Sequence, residues 1–219
     1  MSSNVQLAKL LVQDWLELSI DKHLQLPEVG FDESTEPNYL RVSWTTDDPI
    51  IAYRKLLNVH EDSGPGISSN LRRKFHDGMD TQARYIKYFR EMGVLDEPEG
   101  WDEDQGALAV NHDFGIKGHI DARVRTPEGQ LLPVELKAVN SNRFRRYVRE
   151  PELGHVKQLQ MYMFLDNAPS GFLLAECKDD QTISLRRLKF DPEAIVPCLA
   201  VAAQVWQWVK EERDPFLEV

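Results

Sequence analysis

Asp121, Glu135 and Lys137 are the residues of this 219-residue chain whose types and spacing could do chemistry. Asp121 closes Gly118-His119-Ile120-Asp121, and the other two flank Leu136 in Glu135-Leu136-Lys137. Both stretches are apolar and strand-like, and Pro127-Glu128-Gly129-Gln130 between them reads as a turn. Residues two apart on a strand share a face, so Glu135 and Lys137 project together while Leu136 points into apolar packing. A hairpin of suitable register brings Asp121 beside them. Two carboxylates about 5 Å apart at an effective dielectric near 20 repel by roughly 3 kcal/mol. A hard divalent cation between them removes that cost, and Mg²⁺ is usually held by one or two carboxylates plus substrate phosphates. A neighbouring lysine then supplies positive charge or a proton, an arrangement suited to phosphodiester hydrolysis. The plain alternative is a solvated salt-bridge cluster on an open sheet face, which would be worth little. The apolar neighbours Ile116, Ile120, Ala122, Val124, Val134, Leu136 and Val139 argue against it, because charges in such strands are seldom incidental.

The elements that must position these residues follow from periodicity. Helices are expected over 3–24, over 47–57 and, after Gly64-Pro65-Gly66, over about 68–92. Residues 107–138 read as three strands, or as two with an irregular entry. A helix near 151–166, strands near 171–177 and 182–190, and a helix over 192–211 complete the order. Gln158 and Tyr162 lie about one turn apart and share a face of their helix, with His155 one turn earlier. Gln82 falls on the apolar stripe of the second long helix, through Leu71, Phe75, Ile86 and Phe89.

Asp121, then Glu135-x-Lys137, then Gln158-x-x-x-Tyr162, in that order within 45 residues, resembles the PD-(D/E)XK nuclease superfamily in its RecB-like and phage-type exonuclease branch. Lys137-Ala138-Val139-Asn140-Ser141 leading to Phe144, and Leu71-Arg72-Arg73-Lys74-Phe75 followed by Gly78, extend the resemblance over roughly 66–190. It implies an α/β, restriction-endonuclease-like core, a mixed central sheet flanked by helices, spanning 66–219. Residues 1–65 are then an N-terminal helical extension packed on that core. It also implies catalytic roles for Asp121, Glu135, Lys137, Gln158 and Tyr162, with Mg²⁺ or Mn²⁺ on Asp121, Glu135 and the backbone carbonyl of Leu136. The helix bearing Gln82 usually presents histidine or glutamate to the metal in that family. An amide is a poorer ligand, so Gln82 leaves a second metal position in question. Lys178, after the strand 171–177, matches a lysine of phage-type relatives and is a candidate phosphate contact.

Net charge is −10, which argues against a simple nucleic-acid binder. The distribution softens this. Arg143-Phe144-Arg145-Arg146-Tyr147-Val148-Arg149 interleaves cations with aromatics directly after the candidate site. With His155, its arginines 143, 145, 146 and 149 suit a strand of nucleic acid, through phosphate contacts and stacking; the alternative is a solvated loop. The expected partner is DNA, single-stranded or at duplex ends, with a protein partner or homo-oligomer left open. Hydrophobic content of 42% and charged content of 28% are those of a soluble globular protein. No run of 18 apolar residues exists, so no membrane partner is expected. Asp14 and Glu17 break any signal-peptide layout, and the expected location is the cytoplasm, or the host cytoplasm for a phage protein. Some RecB-like nucleases carry an iron–sulfur cluster on four cysteines. Cys177 and Cys198 are the only two here, so no cluster is expected. The reading is thus a metal-dependent deoxyribonuclease, with an exonuclease on DNA ends favoured. An endonuclease, a silent DNA- or protein-binding module and a small phosphate-ester hydrolase are the alternatives.

Overall fold

The computed structural model describes residues 39–57, 69–98, 101 and 106–211; the expected helix over 3–24 lies outside them. The chain divides into two compact units, one of residues 1–62, 110–117 and 191–219, the other of 63–109 and 118–190.

The second unit holds the candidate residues. Its sheet consists of β4 (Ala122–Arg125), β5 (Leu131–Val139), β6 (Ser170–Cys177) and β7 (Ile183–Lys189), in that order. β4 and β5 form the expected hairpin, antiparallel with Ala122 opposite Val134. Gly129 supplies the positive φ of +80° that its turn requires, and its N–H donates to Thr126 O at 2.8 Å. β5 and β6 run parallel, Lys137 opposite Ala175, and β7 returns antiparallel. The sheet is therefore mixed. A parallel pair needs a crossover connection, here α4 (Ser141–Arg149) and α5 (Leu153–Asp166).

Strand alternation gives this sheet two apolar faces. Val134, Leu136 and Leu174 meet Tyr85 and Ile86 of α3 (Ser69–Glu91). Val139, Leu173, Ala175 and Cys177 meet Phe144 and Tyr147 of α4 and Leu159 and Met163 of α5. Helices thus cover both faces, as expected for the core. The α5–β6 approach is close enough to demand Gly171, where a Cβ would stand 2.8 Å from Leu159 Cδ1 and 3.0 Å from Pro133 O.

Residues 107–138 form four strands rather than two or three: β2 (Ala107–Asn111), β3 (Ile116–Ile120), β4 and β5. β3 belongs to a separate three-stranded sheet, ordered β1-β3-β2 with β1 (Leu40–Arg41), and the run breaks at Asp121. In the first unit α1 (Val42–Thr45), α2 (Pro49–Leu57) and α6 (Pro192–Lys210) bury Val42, Ala52, Leu56, Ile195, Leu199 and Ala202. Tyr53 packs edge-on against Trp208 with ring centroids 5.8 Å apart. Cys177 and Cys198 are both buried free thiols. Among the described residues no helix is long and apolar enough to cross a membrane.

Candidate active site

The hairpin register would place Asp121 opposite Glu135 and Ile120 opposite Leu136, but the β4 ladder stops at Ala122. Asp121 takes over the vacated hydrogen bond: its Oδ2 accepts the Leu136 N–H at 2.7 Å. In an antiparallel pair the N–H and C=O of one residue face the same neighbour, so the Leu136 carbonyl opens toward the Asp121 side. Strand alternation puts Glu135 and Lys137 on the α4–α5 face, where they form an ion pair. Glu135 is fully buried, at 0% exposure, and beyond that ion pair neither carboxylate oxygen has a hydrogen-bond partner.

Electrostatics sharpen the picture. Burial, reinforced by the Asp121 charge and only partly offset by Lys137, raises the Glu135 carboxyl to about 8. Burial likewise raises Asp121, against the pull of Lys137 and the Leu136 N–H. Burial works against the Lys137 ammonium, but Glu135 and Asp121 outweigh it and hold the lysine above its usual value. Two carboxylates placed so unfavourably are offset by a neighbouring positive charge, here the Lys137 ammonium.

α5 faces this cluster with its polar residues. Gln158 Nε2 donates to Tyr162 Oη at 3.1 Å. Burial and the charges of Glu135 and Asp121 push the Tyr162 phenol well above its ordinary value, so it stays protonated. The neighbouring Leu159 and Met163 supply the packing side, as expected. His155 shares a hydrogen bond of 3.2 Å between Nδ1 and Tyr147 Oη. Burial and the Lys137 charge lower it to about 4, so at neutral pH it offers hydrogen bonds rather than charge. The structure thus gathers Asp121, Glu135, Lys137, Gln158, Tyr162 and His155 around the middle of β5.

Three solved structures share this architecture. One is LHK-Exo in complex with dAMP, 15% identical, with 80% of this chain and 90% of that chain covered at a TM-score of 0.59. A second is the alkaline exonuclease LHK-Exo from Laribacter hongkongensis, 15% identical over 82% of this chain and 95% of that one, TM-score 0.54. The third is a phage related exonuclease from Haemophilus somnus 129PT, 12% identical over 80% and 96%, TM-score 0.50. The chain has a nuclease fold. No protein-family model and no curated protein sequence matches it.

Within this nuclease fold the donor set fits a hard cation. Among the described residues no three His, Cys, Asp or Glu side chains cluster at metal-binding distance. The Glu135 carboxylate, unpartnered beyond Lys137, with the Asp121 carboxylate and a strand carbonyl beside it, suits Mg²⁺ or Mn²⁺, whose shell is completed by water and substrate oxygens.

The basic segment is the helix α4, capped by Asn140, whose Oδ1 accepts from the Arg143 N–H at 2.9 Å. Phe144 and Tyr147, one turn apart, bury its inner side and leave the arginines outward. Arg143 is engaged in a bidentate ion pair with Glu152. Arg145 is exposed. Arg146 and Arg149 line a groove of about 710 Å³ together with Glu150 and Glu152 and with Tyr147, Pro151, Leu153 and Val156. Lys178 follows β6, its N–H donating to Val139 O at 2.8 Å, across the end of the strand that bears Lys137.

Two further side chains belong to the opposite face of the sheet. Gln82 lies on the stripe that continues through Tyr85 and Ile86, which pack with Leu136 on the sheet face opposite Glu135 and Lys137. Its Nε2 is buried without a hydrogen-bond partner. Glu176 is buried on that same face. It accepts Tyr85 Oη at 2.8 Å and pairs with Arg84 at 2.5 Å. Sequence reasoning missed Glu152, which no periodicity links to Arg143 nine residues earlier.

Proposed function

We propose that this chain is a divalent-metal-dependent deoxyribonuclease acting as an exonuclease on DNA ends. The observation that carries the proposal is the buried Glu135 carboxylate, unpartnered beyond Lys137, with Asp121 fixed beside it through the Leu136 N–H. Exonuclease structures with the same fold, one of them holding a deoxynucleoside monophosphate, support it.

Mg²⁺ or Mn²⁺, held by Asp121, Glu135 and the Leu136 carbonyl, would polarise the scissile phosphate and acidify a water. The chain's own residues supply the remainder. Lys137 carries a full positive charge, sustained by Glu135 and Asp121, and offers that charge and a proton to the phosphate as negative charge builds in the transition state. Gln158 fixes the Tyr162 hydroxyl by donating to its oxygen, leaving the phenolic proton to donate toward a phosphate oxygen or the Asp121–Glu135 pair. His155, neutral and held by Tyr147, hydrogen-bonds substrate without adding charge to the site. Arg146 and Arg149 add phosphate contacts along their groove.

Incubating the purified protein with end-labelled linear and closed circular DNA, in Mg²⁺, Mn²⁺ or EDTA, tests this reading. Loss of linear but not circular substrate, abolished by EDTA, is the expected result. Cleavage of circles makes it an endonuclease, and no cleavage of either form in any metal removes the reading.

A further inference from the structure

The first unit carries a cluster of cations and aromatic rings that the catalytic chemistry does not use. β1 pairs in parallel with β3 so that Arg41 stands beside Lys117. Their neighbours Leu40, Val42 and Ile116 are fully buried, so alternation turns Arg41 and Lys117 to the open face together. Tyr39, two residues before Arg41, shares that face. The Lys117 ammonium sits 5.6 Å from the Tyr39 ring centre, and the Arg41 guanidinium lies 5.3 Å from the Trp44 ring centre. His112 meets the Tyr39 ring edge-on with centroids 5.8 Å apart, and its Nδ1 shares a hydrogen bond of 2.7 Å with the Tyr39 hydroxyl. Arg41 and His112 are exposed, and Tyr39, Trp44 and Lys117 are half-buried.

The support beneath this cluster is stiff. Gly115, at φ +59°, lets the 112–115 turn close against the Trp206 indole, 2.8 Å from where a Cβ would stand. Trp206 Nε1 donates to Phe114 O at 3.0 Å, and the Leu40 N–H donates to Gly115 O at 2.9 Å. His112 is therefore presented by a turn clamped from two sides. Of the nearby acids, Asp47, three residues past Trp44, is paired with Lys55 at 2.5 Å, while Asp113 stands exposed beside His112.

We propose that Tyr39, Arg41, Trp44, His112 and Lys117 form a binding site for single-stranded DNA in the first unit, additional to the site around Glu135. The proposal rests on the nucleic-acid reading of that site only for the identity of the polymer. Charge complementarity favours this occupant: in a chain of net charge −10, two cations each within about 6 Å of an aromatic ring centre match phosphates alternating with flat bases. Bases stack on aromatic side chains and on guanidinium planes alike. A guanidinium already laid over an indole offers its outer face to a base without first being ordered. A duplex hides its base faces, so the site favours single strands.

Fluorescence anisotropy with a labelled oligothymidylate in EDTA tests this without any cleavage step. Arg41→Gln with Lys117→Gln should weaken binding about tenfold or more and flatten the slope of log affinity against log salt by about 1.4, as two lost single-strand phosphate contacts require. Arg41→Lys keeps the charge but loses the planar stack, and should retain the slope while losing affinity about two- to fivefold. Unchanged melting temperatures establish that both variants are folded. Affinity and slope equal to wild type in the double variant, or equal losses on single-stranded and blunt duplex DNA, would overturn the proposal. A protein that binds the oligomer through this patch but cleaves no DNA would retain this site and refute the nuclease reading instead.

Discussion

Replacing Glu135 with glutamine should stabilise the metal-free protein, and the gain should depend on pH. In wild type the buried carboxyl is raised to about 8 from 4.5, first by burial and then by Asp121, against the opposing pull of Lys137. Between those two values the folded chain holds a proton that the unfolded chain has released. Stability therefore falls as pH rises from about 4.5 to about 8, and is flat beyond. At about 1.4 kcal/mol per pH unit the upper limit of this loss is about 5 kcal/mol. Glutamine removes it, but leaves the Lys137 ammonium facing only Asp121, so a net gain of about 2 kcal/mol at pH 8.5 is a reasonable expectation. For a chain of this length that is about 4–8 °C in melting temperature. The assay is thermal unfolding in EDTA at half-unit steps from pH 5.5 to 8.5. The difference between Glu135→Gln and wild type should be near zero or negative at the acid end and grow steadily toward pH 8.5. Adding Mg²⁺ at pH 8 should raise the wild-type midpoint by mass action and leave the variant almost unmoved. A gain that does not vary with pH, or a variant less stable than wild type at pH 8.5, would show that Glu135 is not an electrostatically strained carboxylate.

Lys137→Ala should lose most of the cleavage rate while DNA affinity stays within a few-fold, measured by single-turnover kinetics beside equilibrium binding; lost affinity with intact turnover would make it a phosphate anchor. Arg146→Gln with Arg149→Gln should flatten the duplex salt slope by about 1.8 and weaken all sequences alike, whereas normal binding at every salt concentration would move the DNA path away from their groove. Gly171→Ala should cost about 1–3 kcal/mol by denaturant unfolding, because its Cβ meets Leu159 and the Pro133 carbonyl; a neutral change would mean that α5 can shift outward freely.

The hairpin and its reactive face were legible because three local signals agree. Pro127–Gln130 is a turn, the flanking runs alternate, and Glu135 and Lys137 sit two apart. Gln158 and Tyr162 were legible for the helical analogue of the same reason. The break at Asp121 was not: residues 116–125 alternate without interruption, and nothing in that pattern tells a strand to leave one sheet for another. What ends the β4 ladder is the aspartate's own carboxylate replacing a backbone acceptor, a tertiary event. α4 carried readable signals, an Asn140 cap and Phe144 with Tyr147 at helical spacing, which the density of arginines obscured. The burial of Glu176 depends on Arg84 and Tyr85, about ninety residues earlier, a separation over which a single sequence carries no information.

If Asp121 and Glu135 together form the centre of a metal-dependent nuclease, neither can be removed without loss of cleavage. The decisive measurement is cleavage of end-labelled linear duplex DNA in Mg²⁺ by wild type, Asp121→Ala and Glu135→Ala, each checked for folding by thermal unfolding. Both variants should fold and both should lose activity by about 10³-fold or more, the scale expected when an electrostatic centre is dismantled. Two folded variants that cleave as fast as wild type would contradict it.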